Sequence, residues 1–175
     1  MKFLKIAIVV LIIAVGIIQL FPPEKNTSSA SGKSSGNEIT MRDSIPNEIQ
    51  SILRRSCYDC HSNNTVYPWY ANVQPVGWWL NNHIQGGKRH LNFDEFTSYS
   101  LRKQYNRFKD IADQIEQNEM PLTSYLLIHR YAVLSADEKA KIINWTTAMQ
   151  DSMKIHYPID SLVRPEPLQK PSWNP

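Results

Sequence analysis

The first 23 residues set themselves apart: Lys2 and Lys5 stand ahead of residues 6–21, which are apolar except for Gly16 and Gln19. Elsewhere the apolar positions recur every three to four residues, the spacing of helices that bury one face. The first such stretch starts near Ser44, a plausible N-cap with Pro46 in the first turn, and places Ile45, Ile49, Ile52 and Leu53 on one face. A second, from Pro75 to about Gln85, carries Val76, Trp79, Leu80 and His83, with Gly86 and Gly87 as its stop signal. A third runs from about residue 98 to 117 with Leu101, Tyr105, Phe108, Ala112 and Ile115 on its stripe. A fourth opens with a capping box, Ser135 to Glu138, and continues through Ile142, Trp145, Ala148 and Met149. No stretch alternates as a strand does, so the expected fold class is all-α.

The first amphipathic helix leads into Cys57, Tyr58, Asp59, Cys60 and His61, and these are the only two cysteines of the chain. C-x-x-C-H is the pattern of covalent haem attachment. Two thiols about one helical turn apart can each add to a vinyl group of the porphyrin, and the adjacent imidazole then reaches the iron. The other uses of a C-x-x-C pair fit less well. A thioredoxin-like pair belongs between a strand and a helix, a structural zinc site wants a further pair of ligands, and a disulfide across two residues would constrain little of the unfolded chain.

Haem is attached in this way on the outer face of a membrane, which gives the apolar N-terminus a purpose. A basic start before an apolar run is an export signal, and the positive-inside tendency sends the residues after Pro22 across. Gln19, Leu20, Phe21, Pro22 and Pro23 offer no small-residue cleavage site, so an uncleaved anchor is expected, a signal peptide cut near Ser28 to Gly32 being the alternative. The resulting layout is a membrane anchor at residues 1–23, a flexible Ser/Gly-rich linker at 24–43, a haem domain at 44–157 and a Pro-rich tail at 158–175. The linker would let the domain swing about 25 Å. Expected is therefore one transmembrane helix, single-pass in a bacterial inner membrane, with the haem domain in the periplasm.

Iron held by His61 needs something on its other side. Met120 stands directly before Pro121, where a helix must break and a thioether can be presented from a turn. His129 and His83 are alternatives and would make a bis-histidine site of lower potential, and His90 and His156 are weaker ones. Met149 reads as core and Met153 as surface or tail. Tyr67, Trp69, Tyr70, Trp78 and Trp79 crowd the segment after His61 and could cover the porphyrin, Trp79 above all, or fill an ordinary core. Three N-x-S/T triplets, beginning at Asn26, Asn63 and Asn144, are given no function. With 19 basic against 16 acidic residues the charge is too even for a nucleic-acid partner.

The run from Cys57 to Asn63, together with Tyr67, Pro68, Trp69, Tyr70, then Pro75, Val76, Gly77, Trp78, Trp79, Leu80 and later His90, Leu91, Asn92, Phe93, resembles the bacterial haem-binding domain family. Glu119, Met120, Pro121, Leu122, Tyr125, His129, Leu134, Ser135 and Trp145 continue the likeness, which covers roughly residues 46–149. The arrangement is also similar to class I c-type cytochromes. The resemblance implies a small cytochrome c-like helical domain around one haem c, with Cys57 and Cys60 as attachment thiols, His61 as proximal ligand and Met120 as distal ligand. It departs from small cytochromes in the long aromatic and basic insert after His61. The function implied is single-electron transfer with redox partner proteins in the periplasm or membrane, an electron carrier or haem-binding module rather than an enzyme. The alternative is a haem-based sensor or peroxidase-type module with an open or displaceable distal position.

Overall fold

A computed structural model describes residues 1–27, 35–42 and 45–164. Among them eight α-helices and four short 3-10 turns are found, and the only β-type pairing is an isolated bridge between Thr27 and Asn64. The all-helical expectation holds. The chain divides into two compact units, Met1–Phe96 and Thr97–Pro175.

In the first unit, α1 (Lys2–Ile18) is 17 residues of almost wholly apolar sequence. At about 1.5 Å per residue it is near 25 Å long, against about 30 Å of hydrocarbon. Among the described residues no helix is long and apolar enough to cross a membrane, which corrects the expected transmembrane helix. The physical cause is the exit of the chain. The amides of Gln19, Leu20 and Phe21 turn back onto the carbonyls of Gly16, Ile17 and Ile18, and Pro22 and Pro23 have no N–H with which to continue.

The expected flexible linker is corrected only where the structure describes it. Its described parts, residues 24–27 and 35–42, are built into the unit: Asn26 is buried, and Ile39, in the 3-10 turn Ile39–Met41, is buried completely. The packing begins even earlier. Gln19 and Gln74 exchange reciprocal amide bonds, Gln19 Nε2 to the Gln74 carbonyl at 3.0 Å and the Gln74 amide to Gln19 Oε1 at 2.8 Å. Trp78 Nε1 donates to the Phe21 carbonyl at 2.7 Å. The base of α1 is thus docked on the domain rather than joined to it by a free tether. Ser44, the expected N-cap, lies outside the described residues.

Helix α2 (Asn47–Ser56) buries Ile49, Ile52 and Leu53 as its spacing requires, with Ile45 just before it also buried. Arg54 and Arg55 in its last turn suit the negative end of the helix. Cys57, at φ −126°, breaks the helix, and the single-turn α3 (Tyr58–His61) starts again beyond it. After a 3-10 turn at Trp69–Asn72, helix α4 (Val76–His90) packs on α3. Gly86 and Gly87 do not stop α4, which runs three residues past them.

In the second unit, α5 (Leu101–Glu116) and α7 (Ala136–His156) pack along one another, with the Phe108 ring edge-on to Trp145 at 5.7 Å. The buried stripe of α5 is Gln104, Phe108, Ile111 and Ile115, and Tyr105 and Ala112 are only half-buried. The stripe is turned by one position because the Gln104 amide finds a partner inside, the Tyr99 carbonyl at 2.6 Å. The capping box from Ser135 to Glu138 is present at α7 with both of its bonds. Two expectations on α7 are corrected: Ala148 is exposed, and Met153 is buried because the helix carries it one turn further along the packed face. The short helices α6 (Thr123–Leu126) and α8 (Ile159–Leu162) complete the unit, and α8 buries Leu162. The packed part therefore passes residue 157, and the rest of the expected tail, residues 165–175, lies outside the described residues.

Candidate functional site

Cys57 ends α2 and caps α3, while Cys60 and His61 sit at the far end of that same turn. The amides of Cys60 and His61 both return to the Cys57 carbonyl, at 3.2 and 3.0 Å. One hydrogen-bonded turn therefore carries both sulfurs and the imidazole. Both cysteines are free thiols and half-buried. Burial pushes the Cys57 thiol up to about 12 and the Cys60 thiol up to about 11, with the neighbouring Cys60 and Asp59 respectively adding to it. A dithiol made for exchange lowers its attacking sulfur instead.

His61 is fixed by its other ring nitrogen. Nδ1 lies 2.9 Å from the Leu91 carbonyl, and a carbonyl can only accept, so Nδ1 carries the proton and Nε2 is left with its lone pair. Burial pulls the His61 pKa below its ordinary value, partly offset by the backbone carbonyls of Leu91 and Gly87. The ring is thereby held neutral, the form that can ligate a metal. Phe93 meets the imidazole edge-on at 6.3 Å and stacks on Tyr58 at 5.1 Å, with the Arg54 guanidinium over the Tyr58 ring.

Helix α4 approaches this turn at a glycine. A Cβ at Gly87 would lie 2.8 Å from the Cys60 carbonyl oxygen and 3.3 Å from both Cys60 Cβ and His61 Cε1. Only a residue without a side chain lets α4 run close enough for the Leu91 carbonyl, just past its end, to reach His61. Sequence reasoning took this glycine for a helix stop. The signal it missed is that a Gly on the line of Leu80 and Ile84 marks a close crossing as readily as an end.

Asn26 is the second residue that went unrecognised. Its side chain donates to the Ser62 carbonyl and to Thr65 Oγ1, each at 2.9 Å, and accepts from Lys88 Nζ at 2.5 Å. Its amide donates to the Tyr67 hydroxyl at 2.7 Å, and its carbonyl accepts from the Thr65 amide at 2.9 Å. Thr65 Oγ1 in turn donates to the Asp59 carbonyl inside the C-x-x-C-H turn, at 2.6 Å. At the start of the same loop, the Asn63 amide donates to Asp94 Oδ2, and Asn63 Oδ1 accepts from Asn92. The loop that leaves His61 is thus stitched to three separate segments of the first unit.

The other expected site residues are spread more widely. Trp79 stands on α4 away from the line that packs on α3, its ring 4.3 Å from His83 and exposed. His83 Nδ1 donates to the Trp79 carbonyl at 2.9 Å. Met120 and His129 belong to the second unit. Met120 is half-buried behind a Schellman stop in which Asn118 takes a left-handed φ of 59°, Glu119 donates to the Gln114 carbonyl and Asn118 to that of Ile115. Helix α5 therefore ends through Asn118, before Pro121 can act on it. His129 is buried and stacked on Tyr125 at 4.1 Å, with Tyr131 edge-on at 5.6 Å and Nδ1 donating to the Tyr125 carbonyl at 3.1 Å.

A porphyrin fits these residues. Two unpaired thiols flank one turn, a neutral imidazole is pinned through Nδ1, and glycine backs the turn where any side chain would crowd it. The family model described as a haem-binding domain matches residues 13–148. No curated protein and no solved structure matches the chain. The match starts within α1 and takes in the segment that composition alone assigns to a linker, in agreement with the packing of Gln19 and Asn26. By a match over more than three quarters of its length, the chain belongs to the haem-binding domain family, and haem is its cofactor.

Proposed function

We propose that the haem is haem c, bonded through Cys57 and Cys60 with His61 as proximal ligand, and that the protein is a periplasmic carrier of single electrons tethered to the membrane by entry of α1 together with the apolar Leu20 and Phe21 that follow it. The observation that carries this reading is the His61–Leu91 bond on the same turn as the two free thiols. It orients an imidazole for iron in the way ligand histidines are usually oriented, through the nitrogen that does not bind the metal. When bound, the haem supplies a one-electron iron couple.

The chain's own part is to hold that group. The α3 turn fixes the spacing of both sulfurs, Leu91 fixes the ring plane of His61, and Phe93 with Tyr58 lines the imidazole with apolar surface. Raised thiol pKa values keep Cys57 and Cys60 protonated near neutral pH, which argues against a dithiol-exchange role. On the distal side we propose Met120, the thioether presented after the end of α5, whose ligation would raise the potential.

Spectra of the matured protein test both statements. A haem signal that survives denaturation, together with a weak ferric band at about 695 nm, is expected. Met120→Ala should keep the haem, lose that band and lower the potential. If that band is absent and the ferric haem is low-spin, His129 takes the place of Met120; its burial favours it over His83, whose Nδ1 is tied to backbone in the same way. A five-coordinate, high-spin ferric spectrum would replace electron carriage with the sensor or peroxidase-type reading.

A further inference from the structure

The first unit exposes aromatic surface at the base of α1 and on the neighbouring α4 and 3-10 turn. Leu20 and Phe21 lie in the turn that ends the apolar helix and are exposed. The Trp78 ring is tied to that point by its bond to the Phe21 carbonyl, and it too is exposed. Trp79 comes next on α4, and Trp69, 79 % exposed, opens the 3-10 turn that packs against α4. None of these rings is used to fill the core formed by Ala71, Leu80 and Ile84. Tryptophan is the side chain that settles at the boundary between lipid and water, with its ring among acyl chains and its N–H satisfied. The Trp78 N–H is satisfied by backbone belonging to the apolar segment itself.

We propose that this collar of Leu20, Phe21, Trp78, Trp79 and Trp69 is a lipid-docking surface that seats the haem domain on the bilayer at the base of α1. The partner is the headgroup–acyl boundary of a phospholipid bilayer. The collar also answers the shortness of α1. A helix of about 25 Å falls short of about 30 Å of hydrocarbon, and apolar surface docked at its end makes up such a deficit. The domain cannot swing, because the reciprocal Gln19–Gln74 bonds and the buried Asn26 hold residues 19–27 against it. These bonds exist only in a chain that keeps residues 19–27, so the proposal needs a mature chain that retains α1.

The inference rests on the proposal that α1 enters a membrane, and the two can fail separately. The full-length, haem-loaded chain is reconstituted into vesicles of phosphatidylethanolamine and phosphatidylglycerol that carry a photoactivatable diazirine near the glycerol end of the acyl chain. Adducts are located by mass spectrometry, and the intact mass gives the N-terminus. Expected are adducts on Leu20–Phe21 and on Trp78–Trp79, falling at least about fivefold at the latter pair when a flexible spacer is inserted between Ile18 and Gln19. Adducts confined to residues 2–18 overturn the collar and leave the membrane anchor standing. A chain that stays with the aqueous phase overturns both, as does a haem-loaded chain whose mass shows residues 19–27 removed. Soret absorbance of the same sample reports independently on the haem.

Discussion

Two adjacent glycines of α4 should respond to alanine in opposite directions. At Gly87 the new methyl would press on backbone, the Cys60 carbonyl oxygen 2.8 Å away, which cannot step aside without moving the C-x-x-C-H turn. Overpacking of this kind costs about 1–3 kcal/mol. At Gly86 the nearest outside atom is the end of the Arg89 side chain, 3.9 Å away. There Gly86→Ala should gain up to about 1 kcal/mol from helix propensity alone. Urea midpoints of the two variants, with the haem spectrum of each, check the contrast; equal shifts would mean that α4 does not lean on α3 through Gly87. His61 adds a pH dependence. Burial keeps its folded pKa below 6.5, so on acidification the unfolded chain takes up this proton first. Stability is full above about pH 6.5 and falls as pH drops toward the lowered value, with a slope of up to about 1.4 kcal/mol per pH unit. In chain made without haem, His61→Gln should flatten that slope in urea titrations between about pH 7 and pH 5; parallel curves for the two chains would refute it.

At the scale of elements, the capping box of α7 offers the simplest perturbation. Ser135→Ala leaves the Glu138 amide without its acceptor and should cost about 1 kcal/mol, read as a lower urea midpoint with the haem spectrum unchanged. That box was readable in the sequence because capping is local chemistry between residues three apart. The amphipathic stripe of α2 was readable for the same reason, as were Ile142, Trp145 and Met149 of α7 and the C-x-x-C-H turn at the end of α2. What could not be read was set by partners distant along the chain. Gly87 looks like a stop until α3 lies against it, and the Leu91 carbonyl carries no side-chain signal at all. The stripe of α5 turned by one position because Gln104 found the Tyr99 carbonyl, an exchange that hydrophobic periodicity counts as an error. Met120 was singled out for the proline after it, whereas the helix had already ended through the left-handed Asn118.

For the whole molecule, the boundary of the domain is the consequential change. Serine, glycine and asparagine between residues 24 and 43 read as solvated linker, yet the first of those asparagines has its donors and acceptor used inside the unit. Composition cannot separate an asparagine that floats from one that is pinned, because the difference lies in Ser62, Thr65 and Lys88, all more than thirty residues away. Two truncations measure where the domain starts. Removing residues 2–18 takes away no buried side chain, Ile18 being half-buried and the rest exposed, and the chain should unfold in urea close to the full-length midpoint. Removing residues 2–27 strips the partners of Gln74, Ser62, Thr65, Tyr67 and Lys88 together. Several buried groups lose their hydrogen bonds at once, and a loss of about 2–4 kcal/mol is expected. Because Thr65 also bonds the Asp59 carbonyl within the C-x-x-C-H turn, the longer truncation should loosen His61 as well, seen as a growing high-spin fraction in the ferric spectrum at constant haem content. If both truncations unfold alike, the domain begins after Thr27 and residues 24–27 are the linker that their composition suggests.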